Sequence, residues 1–111
     1  MTEKQLTSLF WEIAGIMKYK KFIKHLILYD YYECSRSAGF YWGGYDDETK
    51  DCFIFINRDN LNDPLEFNKL VIIHELLHVE FSGHGGVHRK KFEYWIKKLD
   101  NYKFKSLKVK K

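Results

Sequence analysis

The chain has 111 residues, of which 45% are hydrophobic and 18% are aromatic. This length is enough for one domain with one core, and the apolar content excludes a disordered chain. The formal net charge is +4 and only two cysteines, Cys34 and Cys52, occur, so we expect thiols in a reducing compartment instead of a secreted disulfide framework. No apolar run is long enough to span a membrane and no signal-like segment opens the chain, so we expect a cytoplasmic protein without a membrane span.

The first half of the chain predicts one helix followed by three strands. Thr2 and Gln5 have the spacing of a capping box and precede apolar residues at helical intervals, which predicts a helix from about Glu3 to Tyr19 or slightly beyond. Three segments rich in strand-forming residues follow: about Leu26–Glu33, Gly39–Tyr45 and Cys52–Asn57. The polar connection between the last two segments favours a small, largely antiparallel, three-stranded sheet.

The second half predicts two helices. Asp63 and Pro64 indicate the start of one helix, which runs to about Ser82 before Gly83 stops it. A further helix covers about Val87–Leu99 and carries one apolar stripe. The predicted fold class is therefore α+β: a single small domain with an N-terminal helix, the small sheet and two C-terminal helices.

The chemistry lies in residues 74–78, which have the pattern H-E-x-x-H inside the first of these C-terminal helices. His74 and His78 are four residues apart, so both imidazoles project from one helix face and can hold one zinc ion. Glu75 lies beside the first of these ligands, where its carboxylate can act as general base toward a metal-bound water. The pattern therefore predicts a zinc site with Glu75 as the catalytic residue.

A catalytic zinc ion takes three protein ligands and keeps the fourth position open. His84 and His88 are the downstream candidates. The i+4 neighbour of His88 is Phe92, which belongs to the apolar stripe, so we expect His88 to face inward and to be the third ligand. His84 is the alternative, followed by Glu80 or Glu93.

The helix with the H-E-x-x-H pattern, the glycine-containing turn and the next helix, which opens with histidine, together resemble the minigluzincins. These are soluble minimal metallopeptidases, similar to other gluzincins except that a histidine replaces glutamate as third ligand. The resemblance is specific over about Val71–Trp95. It implies peptide hydrolysis, zinc bound by His74, His78 and His88, and latency through a C-terminal segment, residues 101–111, that covers the cleft.

Two other functions compete with the peptidase. The first is a non-catalytic, zinc-stabilised module. The second is a DNA-associated protease similar to the SprT-like proteases, which the basic C-terminal quarter, with seven lysines from Lys97 onward, keeps open. The expected partner is a peptide or protein substrate, pairing with the edge of the strand near Gly39–Gly44; a homodimer is left open, and nucleic acid is not the expected partner.

Overall fold

The computed structural model describes residues 1–30, 52–81 and 85–106, together with the backbone of residues 39–43 and 107. This part of the chain is a small α+β domain with three α-helices. Its elements in chain order are α1 (Glu3–Ile16), β1 (Ile23–Tyr29), β2 (Gly39–Gly43), β3 (Cys52–Asn57), α2 (Leu65–Leu77) and α3 (Gly86–Lys98). Short 3-10 turns lie at Lys20–Phe22, Arg58–Asn62 and Lys105–Leu107.

Helix α1 begins as predicted but ends earlier. The capping box is confirmed. The Thr2 hydroxyl accepts a hydrogen bond from the backbone N–H of Gln5 at 3.1 Å, and the side-chain oxygen of Gln5 accepts one from the backbone N–H of Thr2 at 2.9 Å. At the other end Lys18 has a φ of 66°, and the amide of Tyr19 donates to the carbonyl of Ala14 at 2.9 Å. This left-handed C-terminal cap ends the helix at Ile16. A glycine commonly occupies such a position and would have made the helix end predictable from the sequence.

The prediction of a largely antiparallel sheet is wrong. Strand β3 lies between the other two, in the order β1-β3-β2. It pairs in parallel with β1, from Ile23 opposite Cys52 to Tyr29 opposite Asn57, and only its pairing with β2 is antiparallel. The prediction treated neighbours in the chain as neighbours in the sheet, whereas the long stretch between β1 and β3 allows the chain to return in the same direction.

The core lies between α1, the central strand β3 and α2. Fully buried apolar side chains come from all three elements: Leu6, Leu9, Phe10 and Ile13 in α1, Ile54 and Ile56 in β3, and Ile72, Ile73, Leu76 and Leu77 in α2. The buried residues of α2 cover more than one of its faces, as the apolar composition of that helix indicated. This packing holds the last turn of α2 firmly in place.

The C-terminal helices differ from their predicted bounds by different amounts. Pro64, instead of Asp63, is the N-cap of α2. The helix ends at Leu77, five residues before the predicted Ser82, because the chain continues as a tight turn with the amides of Val79 and Glu80 donating to the carbonyls of Leu76 and Leu77. The predicted stop at Gly83 falls outside the described residues, as does Cys34. Helix α3 begins and ends one residue earlier than predicted.

The segment after α3 returns to α1. The Glu12 carboxylate accepts the amides of Lys105 and Ser106, both at 2.9 Å, and the Ser106 hydroxyl at 2.6 Å. Partial burial disfavours ionisation, but these hydrogen bonds outweigh it and hold the pKa of Glu12 below its ordinary value. Phe104 is only 4% exposed and joins the core, so residues 102–106 belong to the fold.

Among the described residues, no helix combines the length and the hydrophobicity that a crossing of the bilayer requires.

Replacement of Phe104 by alanine should lower the free energy of unfolding by about 3 kcal/mol, because it removes a buried aromatic side chain and leaves a cavity. The measurement is urea denaturation followed by circular dichroism. Tyr102→Ala is the matched control, since Tyr102 is 43% exposed, and it should cost much less. Equal losses in the two variants would contradict the assignment of Phe104 to the core.

Candidate metal site

The end of α2 and the start of α3 bring three histidines together. His74 lies in the last turn of α2, His78 is its C-cap, and His88 lies in the first turn of α3. One ring nitrogen from each histidine can be chosen so that all three lie within 4.8 Å of one another. The chain thus returns on itself so that the first turn of α3 faces the last turn of α2.

The three rings form a nearly equilateral triangle. Their centroids are 5.0 Å apart for His74 and His78, 4.9 Å for His74 and His88, and 4.9 Å for His78 and His88. Tetrahedral zinc with bonds of about 2.0–2.1 Å places its nitrogen ligands about 3.4 Å apart. Because each ring centroid lies beyond its nitrogen, the centroids in such a site are about 5 Å apart, which matches the observed triangle, so this cluster can bind a metal ion.

A backbone carbonyl fixes the orientation of His78. Its Nδ1 lies 2.9 Å from the carbonyl oxygen of Phe81. Because a carbonyl only accepts, Nδ1 carries the proton in this contact and the lone pair of the neutral ring is on Nε2. A hydrogen bond of this kind sets both tautomer and ring direction in metal-binding histidines.

His88 and His74 are held by aromatic and backbone contacts. The Nε2 atom of His88 lies 3.4 Å from the carbonyl oxygen of His74. The ring of Phe92 lies 6.4 Å from that of His88 and 5.9 Å from that of His74, centroid to centroid. His78 and His88 are buried, whereas His74 is partly exposed, so solvent reaches the cluster on the side of His74.

Glu75 is a buried carboxyl at the edge of the cluster. It is 5% exposed, and its Oε1 lies 3.9 Å from Nε2 of His74. Within the part of the chain that the structure describes, no group donates to its Oε2. Burial raises the pKa of Glu75 to about 7, and an unsatisfied buried acceptor of this kind costs about 1–3 kcal/mol.

The backbone of α2 favours a cation at this position. The unsatisfied carbonyls at the C-terminus of a helix carry a partial negative charge. His74 and His78 lie in that last turn and at its cap, so the helix dipole and the imidazole nitrogens act in the same direction.

The other candidate ligands do not join the cluster where the structure describes them. Glu80 accepts a short hydrogen bond from the hydroxyl of Tyr19, and burial together with this bond raises the pKa of Tyr19. Glu93 lies 3.5 Å from Arg89 on an exposed side of α3. His84 lies outside the described residues. Of the described histidines, cysteines and acids, only His74, His78 and His88 form a group of three with metal-binding spacing.

Two contributors to the site were absent from the sequence prediction of site residues. The Phe81 carbonyl belongs to the backbone and leaves no signature in residue types. Phe92 was assigned to the core stripe, and its position four residues after His88 is the signal that could have placed its ring against the cluster.

Comparisons with family models, with curated proteins and with solved structures found no match for this chain.

Loss of His88 should remove metal binding, whereas loss of His84 should not. Replacement of an outer partner of a metal ligand already costs about 10–100-fold in affinity, so His88→Ala should weaken zinc binding by more than about 100-fold. Competition with a fluorescent zinc chelator measures this, and His84→Ala is the matched control from the same region of the chain. If His84→Ala loses zinc binding and His88→Ala keeps it, the third ligand is His84 and not His88.

Proposed function

We propose that this chain is a zinc-dependent metallopeptidase that hydrolyses peptide bonds at the cluster of His74, His78 and His88. The observation that carries the proposal is the combination of this cluster with the buried carboxyl of Glu75. Three histidines would hold the ion, and Glu75 lies next to one of them; among the described residues, no donor contacts its Oε2. A purely structural metal site has no need of such a carboxylate.

Zinc is the proposed metal because of the donor set. Neutral imidazole nitrogens suit zinc and other late transition metals better than magnesium or calcium, which prefer oxygen. Structural zinc sites are usually closed by four protein ligands, whereas catalytic sites use three. The three histidines that cluster among the described residues therefore match the donor set of a catalytic zinc site.

The residues of this chain have separate roles in the proposed reaction. When bound, zinc acidifies a coordinated water and polarises the substrate carbonyl. Glu75 takes the proton of the attacking water on Oε2 and passes it to the leaving amine nitrogen. The backbone carbonyl of Phe81 orients the ring of His78, and that of His74 orients the ring of His88. The rings are therefore oriented before the ion binds.

The proposed substrate is an extended peptide that pairs with β2. This strand lies at one end of the described sheet, with β3 on its other side, and its backbone lies next to α2, the helix that carries the cluster. An edge strand offers unpaired backbone groups to which a peptide can add as a further strand. A peptide bound there would run past the ligand-bearing helix.

Glu75→Gln should retain zinc and lose cleavage. The amide keeps the size of the side chain but cannot accept the proton, so the rate should fall by at least about 100-fold. Zinc content by mass spectrometry of the metal and hydrolysis of a quenched-fluorescence peptide library measure the two effects. Glu93→Gln, an exposed carboxyl on α3, is the matched control and should cleave like the unmodified chain.

Two results would contradict the peptidase. If neither the zinc-loaded chain nor its truncation after Leu107 cleaves any peptide in the library, the cluster is a structural module. If Glu75→Gln and Glu93→Gln cleave at equal rates, Glu75 is not the base. Measured zinc stoichiometry in each preparation separates these results from simple loss of the ion.

Latency through the C-terminal segment is a further part of the proposal, and the structure changes how it has to be tested. Deletion from Asn101 would remove Phe104 from the core and destabilise the fold. A chain that ends at Leu107 keeps Phe104 and the contacts of Glu12 with Lys105 and Ser106, and lacks only residues 108–111. If that segment keeps the enzyme latent, this truncation should cleave the same peptides severalfold faster; an unchanged rate would end the latency hypothesis.

A further inference from the structure

The outer face of α3 is strongly basic. Helix α3 contains five basic residues and one acidic residue, a formal charge of +4. This equals the net charge of the whole chain, so the basic and acidic residues elsewhere balance one another. Residues 101–111 are also basic, with five lysines and no acidic residue, so α3 is one of the basic segments of the chain.

The fold turns these charges toward solvent. The opposite face of α3 carries His88 in the metal cluster and Phe92, Trp95 and Ile96, which pack against the core. The cationic residues are all exposed: Arg89, Lys90, Lys91, Lys97 and Lys98. The one acidic residue of the helix, Glu93, lies 3.5 Å from Arg89, so the lysine charges are not balanced within α3.

An exposed tyrosine lies in the middle of this face. Tyr94 is 52% exposed, and residues three and four positions away on either side share its face of the helix. Those positions are Lys90 and Lys91 before it and Lys97 and Lys98 after it. The Lys98 ammonium donates to the Tyr94 hydroxyl at 3.2 Å and lies 5.5 Å from the ring centroid. We call these five residues the α3 outer face.

The charge of this face limits what can cover it. A second copy of the chain would bring like charges together, and an apolar partner would bury four ammonium groups without counter-charge. A polyanion is the complementary partner. The two lysine pairs are seven residues apart, about 10 Å along the helix, a separation that suits a line of phosphates, and an exposed ring between them suits a base.

We propose that the α3 outer face binds single-stranded nucleic acid, with the four lysines on phosphates and a base stacked on Tyr94. Sequence composition alone did not favour a nucleic acid. The observation that points to it is the arrangement of four exposed lysines around an exposed aromatic ring on one face of α3. Tyr94 lies six residues after His88, about 120° away around the helix axis, so a base stacked on Tyr94 lies to one side of the metal cluster.

The test uses the full zinc-loaded chain and a fluorescein-labelled 15-nucleotide oligothymidylate, with binding followed by fluorescence anisotropy between 20 and 200 mM salt. Each phosphate neutralised on a single strand contributes about −0.7 to the slope of log K against log salt. Four lysines predict a slope of about −3. The triple variant Lys90→Gln, Lys91→Gln, Lys97→Gln should reduce it to about −1 and weaken binding at least about 10-fold at low salt.

The matched control is the triple variant Lys4→Gln, Lys20→Gln, Lys21→Gln. It removes the same charge from exposed positions outside α3 and should keep the affinity and the slope. Tyr94→Leu should weaken binding about 10-fold through loss of base stacking. Glu75→Gln should bind like the unmodified chain, so failure of the peptidase proposal leaves this one standing. Thermal unfolding checks that every variant is folded.

Three results would overturn the proposal. Equal weakening in the two triple variants would show a general charge effect without a site. Tighter binding to a 15-base-pair duplex than to the single strand would remove the role of Tyr94. Tighter binding to phosphatidylserine vesicles than to the oligonucleotide would make a membrane surface the partner.

Discussion

The packing of α3 against the end of α2 is the constraint on which the rest of the structure depends. Helix α2 is held in place by its buried apolar residues, Ile72, Ile73, Leu76 and Leu77, which contact the core on more than one side. Helix α3 is anchored at its far end by Leu99, which is fully buried, and along its length by Phe92 and Trp95. These contacts place the first turn of α3 beside the last turn of α2. The triangle of histidine rings results from this packing of the two helices.

The fold was predictable where it depends on local signals and not where it depends on distant contacts. A capping box and helical spacing defined the start of α1, since both lie within a few residues. The direction in which β1 pairs with β3 depends on a contact across more than twenty residues, and nothing in either strand specifies it. The nearly continuous apolar run of β3 suits a central strand with neighbours on both sides, and this was the available clue. The end of α1 could not be predicted because a lysine adopts the left-handed cap.

The candidate site likewise combines features that local sequence predicts with features that depend on distant contacts. His74 and His78 share a helix face by geometry alone, and the stripe of Phe92 indicated which side of α3 His88 would take. The carbonyl of Phe81 could not be predicted, because any residue type supplies one. The bond between Tyr19 and Glu80 joins residues 61 positions apart and removes Glu80 from the candidate ligands. It also ties the turn after α2, in which Phe81 lies, to the end of α1. Orientation of the ligands therefore depends partly on contacts that only the folded chain creates.

The burial of Glu75 is the strongest structural evidence that α2 has a function besides packing. Its sequence neighbours are His74 and Leu76. A leucine at position 75 would avoid the cost of burying a carboxyl whose Oε2 has no hydrogen-bond partner among the described residues. Burial raises its pKa to about 7, which measures how poorly the surroundings accept the charge. A cation beside His74 would reverse that preference, because a nearby positive charge favours the ionised form. The carboxylate and the histidine cluster are therefore chemically complementary, because a bound cation would offset the cost of burying the charge of Glu75.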